Sequence, residues 1–174
     1  MTSPDRPAIV LVGPMGAGKS TVGRQLAAML RWNFLDTDRE LEERCGADIP
    51  WIFDIEGEEG FRSRETEIIK ELVAKTNTVV ATGGGAILAK ENRTLMRSAG
   101  TVVYLTAPVQ ELFKRVMKDK TRPLLQVENP RDTYEQIFQQ RDPLYREVAD
   151  DVIVTDNLAS PTKVARSIFQ RIDS

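Results

Sequence analysis

The sequence predicts an α/β domain: a five-stranded parallel sheet flanked by helices. Three observations point there. Short apolar runs rich in Val and Ile alternate with segments of helical spacing five times along the chain. These runs are apolar at consecutive positions, as in strands covered on both faces. Proline and cap residues stand where helices should open. Such alternation folds as a parallel sheet with right-handed crossovers. The 174 residues suffice for one domain with a sizeable core and are few for two. No repeat, low-complexity tract or linker divides them, so 1–174 reads as a single domain.

PAIVLVG (7–13) is the first strand. A helix follows from Lys19 to about Leu30, with Val22, Leu26 and Leu30 four apart. NFLD (33–36) is the second strand and runs into Asp36-Thr37-Asp38; helical spacing resumes from Thr37 to about Arg44. The stretch 47–61 is mixed, broken by Pro50 and Gly57, and a helix is expected from Phe61 to Ala74, where Ile68, Ile69, Leu72 and Val73 share a face. TVVATGGG (78–85) is a third strand entering three glycines, followed by a helix from about Ala89 to Ser98. TVVYL (101–105) is the fourth strand. Pro108 suits the first turn of the next helix, to about Lys118, where a missing N–H costs no intrahelical bond. KDKTRPLLQVEN (118–129) is polar and weakly periodic and reads as a mobile loop. Asn129-Pro130 reads as a cap and a first-turn proline, opening a helix to about Arg141 or beyond, with Pro143 ending it. DVIVT (151–155) is the fifth strand. Ser160-Pro161 repeats the cap-and-proline signal for a last helix, with Val164, Ile168 and Ile172 on one face. The two long interruptions, about 37–65 and 117–129, are candidate functional insertions, since ligands of such sheets bind beyond the carboxyl ends of the strands.

GPMGAGKST (13–21) joins the first strand to the first helix and fits G-x-x-x-x-G-K-[ST]. Gly13, Gly16 and Gly18, with small Ala17 between them, let the backbone curl so that N–H groups point at phosphate oxygens. The helix beginning near Gly18, with Thr21 in its first turn, adds its positive end. Lys19 supplies a point charge for the β- and γ-phosphates and Ser20 a hydroxyl for Mg²⁺. The loop therefore predicts a bound nucleoside triphosphate. The guanine-reading pattern N-K-x-D is absent; Asp119-Lys120 and Asp156-Asn157 do not fit it. The chain is also short for a motor or a signalling GTPase, which favours ATP and a small-molecule kinase.

Composition narrows the chemistry further. Lys and Arg number 24 against 26 Asp and Glu, a net charge of −2, which argues against a nucleic-acid partner. No apolar run approaches the roughly 20 residues of a membrane span, and MTSPDRP lacks the apolar core of a signal peptide. A single cysteine, Cys45, suits a reducing cytoplasm. With no histidine, Ser-His-Asp and Cys-His catalysis are excluded, and acid–base work falls to carboxylates, lysine, tyrosine or water. Asp36 and Asp38 end the second strand beside the phosphate loop, where one can serve the Mg²⁺ shell and the other an acceptor hydroxyl. Gly83, Gly84 and Gly85 offer main-chain donors without side-chain obstruction. Arg62 and Glu65 share a helical face. Arg122-Pro123 lies in the polar loop, and Arg141 precedes Pro143. Singly, Asp36-Thr37-Asp38 reads as a solvated turn, Arg62 with Glu65 as an ion pair and each arginine as a surface charge, whereas the three glycines read as ligand-facing main chain in preference to a flexible loop.

Together, GPMGAGKST, DTD, GADIPWIFDIEGEEGFRSRE, ATGGG, RPLL and RDPLY, in this order along the whole chain, resemble the shikimate kinase family. The resemblance implies a P-loop fold of the nucleoside monophosphate kinase type, with a substrate-binding segment about 37–65 and a lid about 117–129. It implies transfer of the ATP γ-phosphoryl group to the 3-hydroxyl of shikimate, giving shikimate 3-phosphate and ADP on the route to chorismate and the aromatic amino acids. By resemblance Asp38 holds the substrate hydroxyls and Asp36 lies near the metal. Arg62 and Arg141 bind the substrate carboxylate, Gly84 and Gly85 donate main-chain N–H groups, and Glu65 buttresses the arginine. Arg122 reaches the phosphates and Arg115 lies beside the adenine. Some relatives carry an arginine after the fifth strand; TDNLASP (155–161) has none, leaving Arg115, main chain and Pro161 to form the base pocket. Two other readings stand beside this one: a gluconate or nucleoside monophosphate kinase of the same architecture, and a nucleotide-binding regulatory module without catalysis. A monomer is expected, because no apolar stripe is left over beyond those the sheet needs.

Overall fold

AIVLV is buried at all five positions and forms β1 (Ala8–Val12). The other predicted strands follow within a residue or two: β2 (Asn33–Asp36), β3 (Thr78–Ala81), β4 (Gly100–Thr106) and β5 (Asp151–Val154). All pair in parallel in the order β2-β3-β1-β4-β5. The structure, a computed structural model, describes residues 4–118, 127–155 and 160–173. Its helices are α1 (Lys19–Leu30), α2 (Thr37–Cys45), α3 (Ile49–Val73), α4 (Lys90–Ala99), α5 (Val109–Met117), α6 (Pro130–Val148) and α7 (Pro161–Ile172). Among the described residues, no helix is long and apolar enough to cross a membrane.

The alternation of side chains along a strand divides the core. Ile9, Leu11, Val103 and Leu105 face Leu26 of α1, Leu112 of α5 and Ile168 of α7. Val10, Val12, Val102 and Tyr104 face Ile69 of α3, Met96 of α4 and Tyr145 of α6. Helices therefore cover both faces, which explains why the strands read as unbroken apolar runs. A third cluster joins Leu41 of α2, Ile52, Phe61 and Leu72 of α3, and Val80 of β3. Parallel pairing puts every strand's carboxyl end on one edge of the sheet. The chain leaves β1 for β2 and β3 on one side and crosses to β4 and β5 on the other. The loop after β1 thus stands where the strand order changes direction, the usual ligand crevice of such sheets.

Three expectations need correction. The segment 49–56 is helical. Asp48 caps it by accepting from Trp51 N at 3.0 Å, and Pro50 sits in the first turn, so the proline opens a helix instead of breaking one. The break is at Gly57 alone, whose φ of 72° and ψ of 177° kink α3 between two helical halves. After β3, Gly84–Leu88 forms a 3₁₀ turn. Pro143 does not end α6, which continues to Val148. Asn129 makes no side-chain cap; its carbonyl accepts from Thr133 N at 3.1 Å and starts the helix through the main chain. Ser160 caps α7 as expected, accepting from Lys163 N at 3.2 Å. Most of the loop expected over 118–129 lies outside the described residues.

Candidate active site

The loop between β1 and α1 is braced from two other elements. Gly16, at a φ of 89°, presses its main chain on α5, where a Cβ would lie 2.8 Å from Leu112 O and 2.9 Å from Val116 Cγ2. Tyr134 of α6 donates its hydroxyl to Met15 O at 2.7 Å. Arg115 of α5 donates to Gly16 O at 3.2 Å and to Thr155 Oγ1 at 3.4 Å, so it packs on the loop's flank at the end of β5. Gly13 and Ala17 are buried within the curl, while Gly18 and Thr21 are exposed at the helix opening. Lys19 Nζ reaches back to Gly13 O at 2.6 Å and Pro14 O at 3.0 Å, which holds the ammonium over the loop.

Ser20 donates its hydroxyl to Asp36 Oδ2. The other oxygen of Asp36 accepts from Asp38 N at 3.0 Å and Arg39 N at 3.3 Å, capping α2. A hydroxyl and a carboxylate oxygen thus meet at the mouth of the phosphate loop. This all-oxygen donor set suits a hard cation such as Mg²⁺.

The second half of the site is the turn after β3, and it is fixed along its length. Thr82 Oγ1 donates to Leu11 O at 2.9 Å, and Gly83 N donates to Thr37 Oγ1 at 3.1 Å. Tyr145 donates to Gly84 O at 2.6 Å, Asn92 Nδ2 to Ala86 O at 2.9 Å, and Arg93 to Ile87 O and Leu88 O. Three side chains converge on this turn. A Cβ on Gly83 would lie 2.6 Å from Asp38 Oδ1, and one on Gly85 would lie 2.6 Å from an Arg62 terminal nitrogen and 2.8 Å from its Cζ. A Cβ on Gly84 would lie 3.7 Å from Arg141 and 3.6 Å from Met15 N of the phosphate loop. The glycines let a carboxylate, two guanidinium groups and the phosphate loop share one small region.

Its electrostatics centre on Glu65, whose side chain is 2% exposed. Arg62 donates to Glu65 Oε1 at 2.9 Å. Burial raises the Glu65 carboxyl to about 6; Arg62 and Arg141 pull it down, and the Asp38 carboxylate pushes it up. One arginine nitrogen is thereby committed to Glu65, while Arg62 Nε has no hydrogen-bond partner among the described residues. The paired arginines form a cationic fork suited to a ligand carboxylate.

The structure thus brings together Gly83, Gly84, Gly85, Asp38, Arg62 and Arg141, and sets them against the loop of Gly13–Ser20 and Asp36. Arg122 lies outside the described residues, as does most of the TDNLASP loop, of which Thr155, Ser160 and Pro161 are described. Sequence reasoning missed Thr37, Tyr134 and Tyr145, the hydroxyls that fix the two loops. Arg141 and Tyr145 stand four apart, a same-face signal on a helix, which reading Pro143 as a stop concealed.

The family model described as shikimate kinase matches residues 15–173. A shikimate kinase from Histophilus somni (strain 2336) is 55% identical over 167 residues, covering 95% of each chain. One from Actinobacillus pleuropneumoniae serotype 5b (strain L20) is 54% identical over 166 residues, again 95% of each. Among solved structures, a shikimate kinase from Acinetobacter baumannii in complex with shikimate superposes with a TM-score of 0.91 at 51% identity, over 96% of this chain and 93% of that one. The shikimate kinase of Aquifex aeolicus vf5 gives 0.83 at 36% identity, over 95% and 96%.

Proposed function

The chain belongs to the shikimate kinase family and transfers the γ-phosphoryl group of ATP to the 3-hydroxyl of shikimate; from that premise we propose how its own residues do so. The observation that carries the assignment is the convergence of Asp38, Arg62 and Arg141 on the glycine turn, against the phosphate loop. Arg62 and Arg141 take the shikimate carboxylate. Asp38, beside Gly83, takes the ring hydroxyls, orients the 3-hydroxyl and accepts its proton. Gly84 and Gly85 supply close main-chain approach.

The main-chain amides of Gly13–Ser20 and the Lys19 ammonium hold the ATP phosphates, and Arg115 flanks the nucleotide. Ser20 and Asp36 hold Mg²⁺, which when bound offsets phosphate charge. Arg122 is assigned to the phosphates by resemblance alone, as the lid role is to 117–129 and the substrate-binding role to 37–65 within one domain. Phosphoryl transfer passes through a loose transition state, so catalysis here is alignment and charge neutralisation. The chain acts in the cytoplasm as a monomer, without nucleic-acid or membrane partners. Few large apolar side chains are exposed among the described residues, and net charge is slightly negative.

Coupled ADP-release assays with shikimate, gluconate, AMP and CMP side by side test the acceptor together with the Arg62→Ala variant. Turnover on shikimate alone is expected, and R62A raises the shikimate KM at least about tenfold while ATP KM stays near wild type. Comparable turnover on gluconate or a nucleotide, or an R62A defect confined to kcat, contradicts the assignment.

A further inference from the structure

Arg141 and Tyr145 stand four residues apart on α6, side by side on one face. Tyr145 is 1% exposed and its hydroxyl donates to Gly84 O at 2.6 Å. A phenol has one proton to donate and lone pairs to accept with. Its proton is spent on the glycine carbonyl, and a Cβ on that same glycine would lie 3.7 Å from an Arg141 terminal nitrogen, so the phenol and the guanidinium meet at Gly84. The ring cannot swing away: it packs on Tyr104 with centroids 5.0 Å apart, and Tyr104 is anchored to Asp142 Oδ1 at 2.5 Å.

We infer that Tyr145 is a positioning residue for the substrate carboxylate, its hydroxyl fixing the main chain of the glycine turn against which the Arg141 guanidinium rests. The turn has other ties, from Thr37, Asn92 and Arg93, made at Gly83, Ala86 and Ile87; the Tyr145 bond is made at Gly84, the glycine beside the site's arginine. Tyr145 takes no part in proton transfer, since burial pushes its hydroxyl up to about 12 and it stays protonated at neutral pH. The role rests on Arg141 being a carboxylate ligand.

The test is a double-mutant cycle on Tyr145→Phe and Arg141→Ala, read as kcat and as KM for shikimate and ATP, with melting curves for each variant. Phe keeps the ring and removes the hydroxyl. The expected result is a shikimate KM raised about five- to tenfold in Y145F, with kcat and ATP KM within about twofold of wild type. In the R141A background the Phe substitution has no further effect. Additive effects, an equal rise in ATP KM, or an inert Y145F beside a defective R141A overturn this inference alone. An R141A variant with unchanged shikimate KM overturns the carboxylate assignment and this inference with it. Should Y145F fail to fold, fluorine NMR of the wild-type chain carrying 3-fluorotyrosine, assigned through Tyr104→Phe and Tyr134→Phe, supplies the reading. Shikimate without nucleotide then shifts the Tyr145 resonance and leaves that of Tyr134 in place; a Tyr145 resonance indifferent to shikimate overturns the inference.

Discussion

Glu65 shows how one buried carboxyl sets the behaviour of the site. Its folded pKa, about 6, stands above the ordinary 4.5 because burial outweighs the pull of Arg62. The folded chain therefore holds more protons than the unfolded one between those values, so this group makes stability fall as pH rises through that window, by about 2 kcal/mol in all. Binding runs the other way. Below about pH 6 Glu65 becomes neutral and its hold on Arg62 weakens. We expect kcat/KM for shikimate, measured from pH 7.5 to 5, to drop relative to a Glu65→Gln variant, in which the same ratio is lower at neutral pH but lacks this inflection. Parallel profiles for the two proteins would remove Glu65 from the account. Gly85 makes a sharper case. A methyl group there meets the Arg62 guanidinium, the far end of a flexible side chain, so Gly85→Ala should fold with little change in melting temperature and raise the shikimate KM at least about tenfold. Unchanged KM would mean that Arg62 does not need its observed position. At this scale the sequence disclosed which residue types mattered, because glycines, arginines and aspartates have few alternatives for this chemistry. It did not disclose which glycine faces which side chain, since that depends on the pairing of β1, β2 and β3.

Among the elements, α3 was the least legible. Its first half carries Pro50 and two exposed apolar side chains, Trp51 and Ile55, which obscure helical periodicity; the signal that survives is the Asp48 cap followed by a first-turn proline. Pro143 misled for a related reason. It removes one bond from the α6 ladder, but Tyr145 and Val148 beyond it are buried against the sheet, and tertiary packing overrides local propensity. The kink in α3 carries its own prediction. Gly57 lies in a region of backbone space nearly reserved for glycine, with open space around the site of a Cβ. Gly57→Ala should destabilise by about 1–3 kcal/mol through backbone strain alone, seen as a melting temperature lower by about 2–4 °C per kcal/mol in a chain of this size. A variant that melts with the wild type would show that α3 straightens there at no cost.

The whole molecule was the most legible level. Five apolar runs, each too short for a buried helix, fixed the strand count, and their unbroken character fixed helices on both faces. Strand order was not written in any one segment; it follows from where β1 and β3 pair, Ile9 beside Val79 and Leu11 beside Ala81. That pairing brings the phosphate loop after β1 against the glycine turn after β3, and with it two binding chemistries within reach of one transferred group. The most direct test is a crystal structure of the chain with shikimate, ADP and Mg²⁺. The account predicts the shikimate carboxylate between Arg62 and Arg141, its 3-hydroxyl on Asp38, and the nucleotide phosphates wrapped by Gly13–Ser20. Shikimate seated away from these three side chains, or with its carboxylate turned from both arginines, would contradict it.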